Sequence, residues 1–288
     1  MIAAKPPHEV IVEDVEYQRQ GDRALLARLY RPKGDGPFPA VVDVHGGAWV
    51  GSDRLGNVEF DTALAKNGIV VLALDFRMPP EATYPASLAD INLGIRWLKA
   101  HAKECGTSPD QIGGFGTSSG GHQILLAAMR PHDPRYAALP MADEHQVDAQ
   151  LAFVISAYGI IDPLDRYHLV KRIGNAQIAK NHDLFWLTEE AMSEGSPALI
   201  LKRGEPADLP PALFFQGTAE EFTTAAQLED FASAYRKAGG EAEIHLFEGE
   251  KHIFLREKPS GENTLKAIDL VTAFVKKHSE GALTPPRA

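Results

Sequence analysis

The chain has 288 residues, 44% of them hydrophobic, and a formal net charge of −10 at pH 7. At that length about three quarters of the unfolded surface can be buried, so one large domain needs no disulfide or metal to hold it. The acidic balance argues against a nucleic-acid or anionic-membrane surface, and the single cysteine, Cys105, suits a reducing compartment.

Residues 10–17 and 24–30 read as two strands joined by a turn at Gln20-Gly21-Asp22. No apolar core of signal-peptide length precedes them, and no segment is long enough to cross a bilayer, so a cytoplasmic protein is expected. Residues 40–44 and 69–74 are short continuous apolar runs, the pattern of central strands buried on both faces of a parallel sheet. Between them, 57–67 reads as a helix stopped by Gly68. A second helix spans 87–102, with Leu88, Ile91, Ile95 and Leu98 at near-helical spacing. Cys105 ends that run before Gly106, and nothing around it would activate a thiol.

The alternation goes on with a strand at 111–115, despite Gly113 and Gly114, and a helix at 120–129. Strands are expected at 151–157, 212–216 and 243–247. An amphipathic helix at 224–238 puts Leu228, Phe231 and Tyr235 on one side. The last helix, 264–278, ends in Lys276 and Lys277, which suit the negative end of its dipole. Residues 281–288 read as a loose tail, and the final strand and helix could support a homodimer.

This order predicts the α/β class: a mostly parallel sheet with helices on both faces and reactive groups at the carboxyl ends of the strands. Residues 159–209 break it, being roughly fifty residues of loop and short helix, far beyond ordinary connections. Lying between consecutive strands, they are expected to form a lid inserted in one domain.

Chemistry concentrates in Gly116-Thr117-Ser118-Ser119-Gly120. Between a strand and a helix, a serine flanked by glycines can be held in a sharp turn with its hydroxyl exposed. A serine hydroxyl needs a base, and His252, directly after the final strand, is the best placed. His122 shares the helix that follows the serine and would leave from another side of the turn, which suits packing or hydrogen bonding. The base needs a carboxylate. Glu220, after the penultimate strand, is preferred, with Glu221 in reserve and Asp162 a third candidate. The order Ser118, Glu220, His252 is the nucleophile–acid–base order of an α/β-hydrolase sheet. His45-Gly46-Gly47-Ala48-Trp49 follows a strand directly, so the N–H groups of Gly47 and Ala48, with that of Ser119, are candidate oxyanion donors. His45 reads as an anchor for that loop.

Together these segments, with Asp75-Phe76-Arg77 and Tyr84-Pro85 through Asp90, resemble bacterial α/β-hydrolase carboxylesterases. That broad group takes in the hormone-sensitive-lipase-like and the feruloyl and acetyl-xylan types, and the resemblance covers about residues 10–280. It implies a single α/β-hydrolase domain and a structural, loop-bracing role for Asp75, Arg77 and Asp90. Glu220 stands where the group usually shows aspartate, and Ala48 where a third glycine is frequent. There is no room before residue 10 for an N-terminal cap of the hormone-sensitive-lipase kind. The implied activity is serine-dependent hydrolysis of small soluble esters, with short acyl, aryl or acetylated groups, through an acyl-enzyme. Neither a metal nor an organic cofactor is implied. An arylformamidase or amidase would use the same residues, and a catalytically silent receptor would usually have lost one of them. Trp49, Tyr158, Trp186, Phe222 and Phe254 are candidates to line an apolar pocket.

Overall fold

In the computed structural model of the chain, residues 7–141 and 147–279 are described; the tail at 281–288 lies outside them. Eight strands form one sheet in the order β1-β2-β4-β3-β5-β6-β7-β8. Strands β1 (Val10–Gln20) and β2 (Arg23–Pro32) make an antiparallel hairpin at one edge. Strands β3 (Ala40–Val44), β4 (Val70–Leu74), β5 (Ile112–Thr117), β6 (Val154–Ala157), β7 (Ala212–Gly217) and β8 (Ala242–Phe247) run parallel. All of their reactive-side loops therefore emerge at one rim.

The central runs are apolar because both faces of the sheet are covered. On β4, Val70, Leu72 and Leu74 pack into one core with α2 (Ala86–Ala100), α3 (Ser119–Met129) and α8 (Ala225–Lys237). The alternate residues Val71 and Ala73 face the other core, which holds α1 (Val58–Lys66) and α10 (Glu262–Ser279). The period-two pleat thus splits one apolar run between two cores. Asp43 is the exception: it lies within the run at 40–44 and is buried.

The elements follow the expected order with small shifts at their ends. The shift that matters is at the serine. β5 runs on to Thr117 and α3 begins at Ser119, so the whole strand-to-helix turn is Ser118.

The inserted segment is more regular than loop. It forms α4 (Pro163–Arg172), α5 (Ala176–Trp186), α6 (Glu189–Glu194) and α7 (Pro197–Lys202). Each helix has a visible start: Asp162, Asn175, Thr188 and Ser196 accept hydrogen bonds from the backbone N–H groups of the first turn. Pro163 and Pro197 supply the fixed φ of a first helical residue. The segment has its own small core of Ile160, Tyr167, Phe185, Trp186 and Met192, closed by Trp49 from the sheet side. Glu194 ties it to the body through Tyr84, Arg130 and Arg135.

Candidate active site

Ser118 occupies a backbone conformation that side chains rarely adopt, with φ 53° and ψ −120°. Such a residue costs on the order of 1–3 kcal/mol and persists only where its surroundings fix it. Here its N–H donates to the Ala157 carbonyl at 3.0 Å, and its own carbonyl accepts from the His122 N–H at 3.1 Å. The turn is also too tight for side chains nearby. A Cβ on Gly120 would lie 1.9 Å from the Val44 carbonyl oxygen, and one on Gly116 would lie 2.6 Å from the Gly120 backbone. The two glycines therefore let α3 pack directly against the end of β3.

The Ser118 hydroxyl donates to His252 Nε2 at 2.8 Å, and His252 Nδ1 donates to Glu220 Oε2 at 2.6 Å. The carboxylate sets the tautomer: Nδ1 must carry the proton, so Nε2 is free to accept. The Glu220 side chain is 2% exposed, and its other oxygen accepts from the Phe222 N–H at 2.9 Å. Glutamate's extra methylene thus fits where the resemblance led us to expect aspartate. The loops carrying acid and base are laced together by Thr218 N–H to Phe247 O at 2.9 Å and Ala219 N–H to Glu250 O at 3.0 Å. Glu221 is exposed, whereas the Asp162 carboxylate accepts from the N–H groups of Leu164 and Asp165 at the start of α4.

Facing Ser118 is the 45–49 loop. Gly47, Ala48 and Trp49 all have positive φ, at 112°, 51° and 64°. The N–H groups of Gly47 and Ala48 donate to no backbone acceptor among the described residues. The N–H of Ser119 opens α3, where no side chain caps it. All three are free to meet a negatively charged oxygen. The loop is pinned from below, since the Trp49 N–H donates to Ser119 Oγ at 3.1 Å. It is pinned from above too: Trp49 Nε1 donates to His122 Nδ1 at 3.2 Å, and His122 Nε2 donates to the Gly195 carbonyl at 2.9 Å. Burial pushes His122 down to about 4, so it is a neutral brace rather than a base. His45 stacks on Phe76 at 4.3 Å and donates from Nδ1 to the carbonyl of its neighbour Gly46, while its Nε2 has no hydrogen-bond partner among the described residues. Asp75 accepts from the backbone and side chain of Arg54, while Asp90 grips Arg77 with both oxygens. Cys105 is buried, and burial raises its thiol to about 11, far from a nucleophile's range.

With this geometry in view, the family model BD-FAE matches residues 28–235, and the model of the dienelactone hydrolase family matches residues 206–279. The chain belongs to the BD-FAE family. It is 33% identical over 152 residues to the probable carboxylic ester hydrolase LipM of Mycobacterium tuberculosis, covering 52% of this chain and 34% of LipM. It is 27% identical over 275 residues to the isoprenylcysteine alpha-carbonyl methylesterase ICME of Arabidopsis thaliana, covering 90% of this chain and 62% of ICME. The chain thus spans from about a third to under two thirds of the length of these relatives. Among solved structures, native Est2, an esterase of Thermogutta terrifontis, is 25% identical with a TM-score of 0.72, covering 98% of this chain and 96% of Est2. The fold is that of the α/β-hydrolases.

The aromatic residues expected to line a pocket divide into three groups. Tyr158 and Phe222 each set an edge against the His252 ring, both at 5.2 Å. Trp49 and Trp186 are buried in the aromatic cluster under the inserted helices. Phe254 is a core residue, packed on Phe247 and the α10 side of the sheet, and touches the site only through Tyr158. A groove of about 510 Å³ runs beside the site between α4, α7 and α8, and shares only Phe222 with it.

Sequence reasoning missed Arg166. It lies on α4, is 3% exposed, and its guanidinium sits 4.6 Å from the Phe222 ring and 5.5 Å from the Trp49 ring. Its Nε and Nη1 have no hydrogen-bond partner among the described residues. Each aromatic face offers about 0.5–2 kcal/mol. An unpaired buried charge costs several kcal/mol, so the rings do not offset it fully. Burial accordingly lowers Arg166 to about 10, against the opposing pull of Glu220, and it stays charged at neutral pH. The signal was present in the sequence. Arg166 falls on the buried face of α4 with Pro163, Tyr167 and Val170, at helical spacing.

Proposed function

We propose that the protein is a serine carboxylic-ester hydrolase acting on small soluble esters. The observation carrying this reading is the continuous chain from the Ser118 hydroxyl through His252 to Glu220. Ser118 Oγ attacks the ester carbonyl carbon as its proton passes to His252 Nε2, and Glu220 stabilises the imidazolium. The carbonyl oxygen becomes an oxyanion held by the N–H groups of Gly47, Ala48 and Ser119. Each such donor contributes about 3 kcal/mol to the transition state. The tetrahedral carbon collapses, the C–O bond to the alcohol breaks, and His252 returns the proton to the leaving oxygen. Water, deprotonated by His252, then attacks the acyl-enzyme, which releases the acid and regenerates Ser118.

The family and the esterases among its relatives support this class of reaction. Small substrates are favoured because Ser118 is only 6% exposed, and its base is hemmed in by Tyr158 and Phe222. The helices α4 to α7 serve as the lid.

Ser118→Ala is expected to lower p-nitrophenyl acetate turnover by roughly a million-fold and to abolish labelling by a fluorophosphonate probe. Undiminished turnover in that variant would overturn the proposal.

A further inference from the structure

We infer that Arg166 is the recognition group for an anionic substituent on the substrate, so that the protein selects esters carrying a carboxylate or similar anion. This rests on the ester-hydrolase reading and names the substrate class for that same site.

The position of the guanidinium carries the argument. Trp49 and Phe222, the rings that flank it, belong to the two loops that frame Ser118. Trp49 follows the loop whose free N–H groups face the serine, and its own N–H is bound to Ser119 Oγ. Phe222 packs on the His252 ring, and its N–H holds Glu220. Arg166 on α4 therefore lies between a ring that follows the oxyanion loop and a ring that packs on the base. It is buried there with two of its nitrogens unpartnered.

Among the described residues no carboxylate forms a hydrogen bond or ion pair with it, although Glu220 is near enough to act on its charge. Glu220 is committed to His252 and the Phe222 N–H, and Asp162 and Asp165 take part in other hydrogen bonds. A second observation points the same way. The Trp186 indole N–H, in the same aromatic cluster, is also buried without an acceptor. Unpaired buried donors around one ring suit a ligand rich in acceptor oxygens, and the planar fork of an arginine fits a carboxylate. The guanidinium keeps its proton at neutral pH, and acceptor oxygens of a ligand would complete the partners that its rings and the nearby Glu220 charge supply only in part.

The test uses pairs of esters of nearly equal shape, followed by acid release in a pH-stat. Monomethyl adipate is set against its neutral carboxamide, methyl 6-amino-6-oxohexanoate, for an anion on the acyl side. Acetoxyacetate is set against 2-acetoxyacetamide for an anion on the alcohol side. The wild-type protein is expected to favour the anionic member of one pair by at least about tenfold in kcat/KM, mostly through KM. In Arg166→Met that ratio should fall to about one, whatever happens to the absolute rates. Arg166→Lys should keep part of it, and still decides the matter if the methionine variant does not fold. Equal rates on both members in the wild type would overturn the inference. So would a ratio that survives Arg166→Met while both rates fall together, which is what a residue that only clamps the helices would give.

A separate readout needs no turnover. Monomethyl adipate is titrated into Ser118→Ala and followed by tryptophan fluorescence, since Trp49 borders the guanidinium. Saturable binding that the carboxamide lacks, and that Arg166→Met removes, supports the anion site even if no ester is hydrolysed. That outcome would separate its fate from that of the ester-hydrolase reading. No binding of either compound, together with no preference in turnover, would end it.

Discussion

The chain of side chains around Ser118 and the cluster beneath the inserted helices differ in how their buried polar atoms are paired. At the rim, Ser118, His252, Glu220, His122 and Ser119 form a network in which the hydrogen-bonding side chains answer one another. On the inserted helices, Arg166, His182 and Trp186 each keep a buried polar atom without a hydrogen-bond partner among the described residues. A satisfied network fixes geometry, as catalysis requires. An unsatisfied one can be completed by a ligand that brings acceptor oxygens. The contrast separates residues that perform a reaction from those that select what enters.

The strongest way to break that contrast is to damage the rim without disturbing its shape. Glu220→Gln keeps the length of the side chain but offers His252 an amide, which can stabilise the wrong tautomer. By analogy with the equivalent change in another serine hydrolase, kcat on p-nitrophenyl acetate should fall about 10⁴-fold. The thermal midpoint should move little. A loss of tenfold or less would mean that another acid can serve His252, and the exposed Glu221 would then be the one to test.

A smaller effect is expected where the two regions join. His122 accepts from the Trp49 indole and donates to Gly195, just ahead of α7. His122→Phe keeps an aromatic ring but leaves a buried N–H and a buried carbonyl unpaired. The cost should be about 2 kcal/mol in denaturant unfolding, accompanied by a fall in turnover as the oxyanion loop loosens. Unchanged stability would show that the rim and the inserted helices are held independently.

How far each region could be read from sequence follows from the same contrast. The rim was legible because strand ends impose it. An apolar run, a glycine-framed serine, a His-Gly-Gly loop and an acid and a histidine after successive strands are local patterns, and the sheet brings them together. Ser118, Glu220, His252 and the 47–48 loop meet for that reason. The inserted helices carry little such constraint. They are short, their periodicity is brief, and their packing is decided by tertiary contacts with Trp49 and Tyr84 rather than by propensity. Their caps at Asp162, Asn175, Thr188 and Ser196 were readable, but Arg166 resembled any solvated arginine until its position beside Tyr167 and Val170 was considered. Asp43 was hidden differently: one carboxyl inside an apolar run does not announce where its proton comes from.

Asp43 and its neighbour Asp61 sharpen the lesson of Arg166. Both carboxyls are buried, and the two side chains interact with each other through a hydrogen bond that needs a shared proton. Unlike a guanidinium, a carboxyl can become neutral by taking up a proton. Burial pushes Asp43 up to about 7, and burial with the nearby Asp43 charge pushes Asp61 well above its ordinary value. The folded protein therefore holds protons that the unfolded chain releases. For Asp43 that contribution to stability is complete below about pH 4 and is lost as pH rises through about 7, at up to about 1.4 kcal/mol per pH unit, and Asp61 acts in the same direction. Asp61→Asn replaces the protonated acid with a neutral amide, so it should flatten this decline. Between pH 5 and pH 8 the variant's stability should fall less steeply than the wild type's, by up to about 1.4 kcal/mol per pH unit, in unfolding titrations. Parallel stability curves would show that Asp61 does not carry the proton.

The smallest expected effect lies at Ala48, and it separates two explanations of that residue. Its φ of 51° is left-handed, which costs a residue with a Cβ roughly 1 kcal/mol. Ala48→Gly removes this strain but frees the unfolded chain by a comparable amount, so stability should change by less than about 0.5 kcal/mol. Activity is the informative measurement. If the alanine methyl narrows the acyl site, Ala48→Gly will raise kcat/KM for hexanoate esters relative to acetate. If instead it only stiffens the loop, all acyl lengths will slow together, because the same N–H then points less steadily at the oxyanion. A uniform loss would place Ala48 with the rim, as part of its fixed geometry. A loss of discrimination would extend the selecting role of the inserted helices down to the oxyanion loop itself.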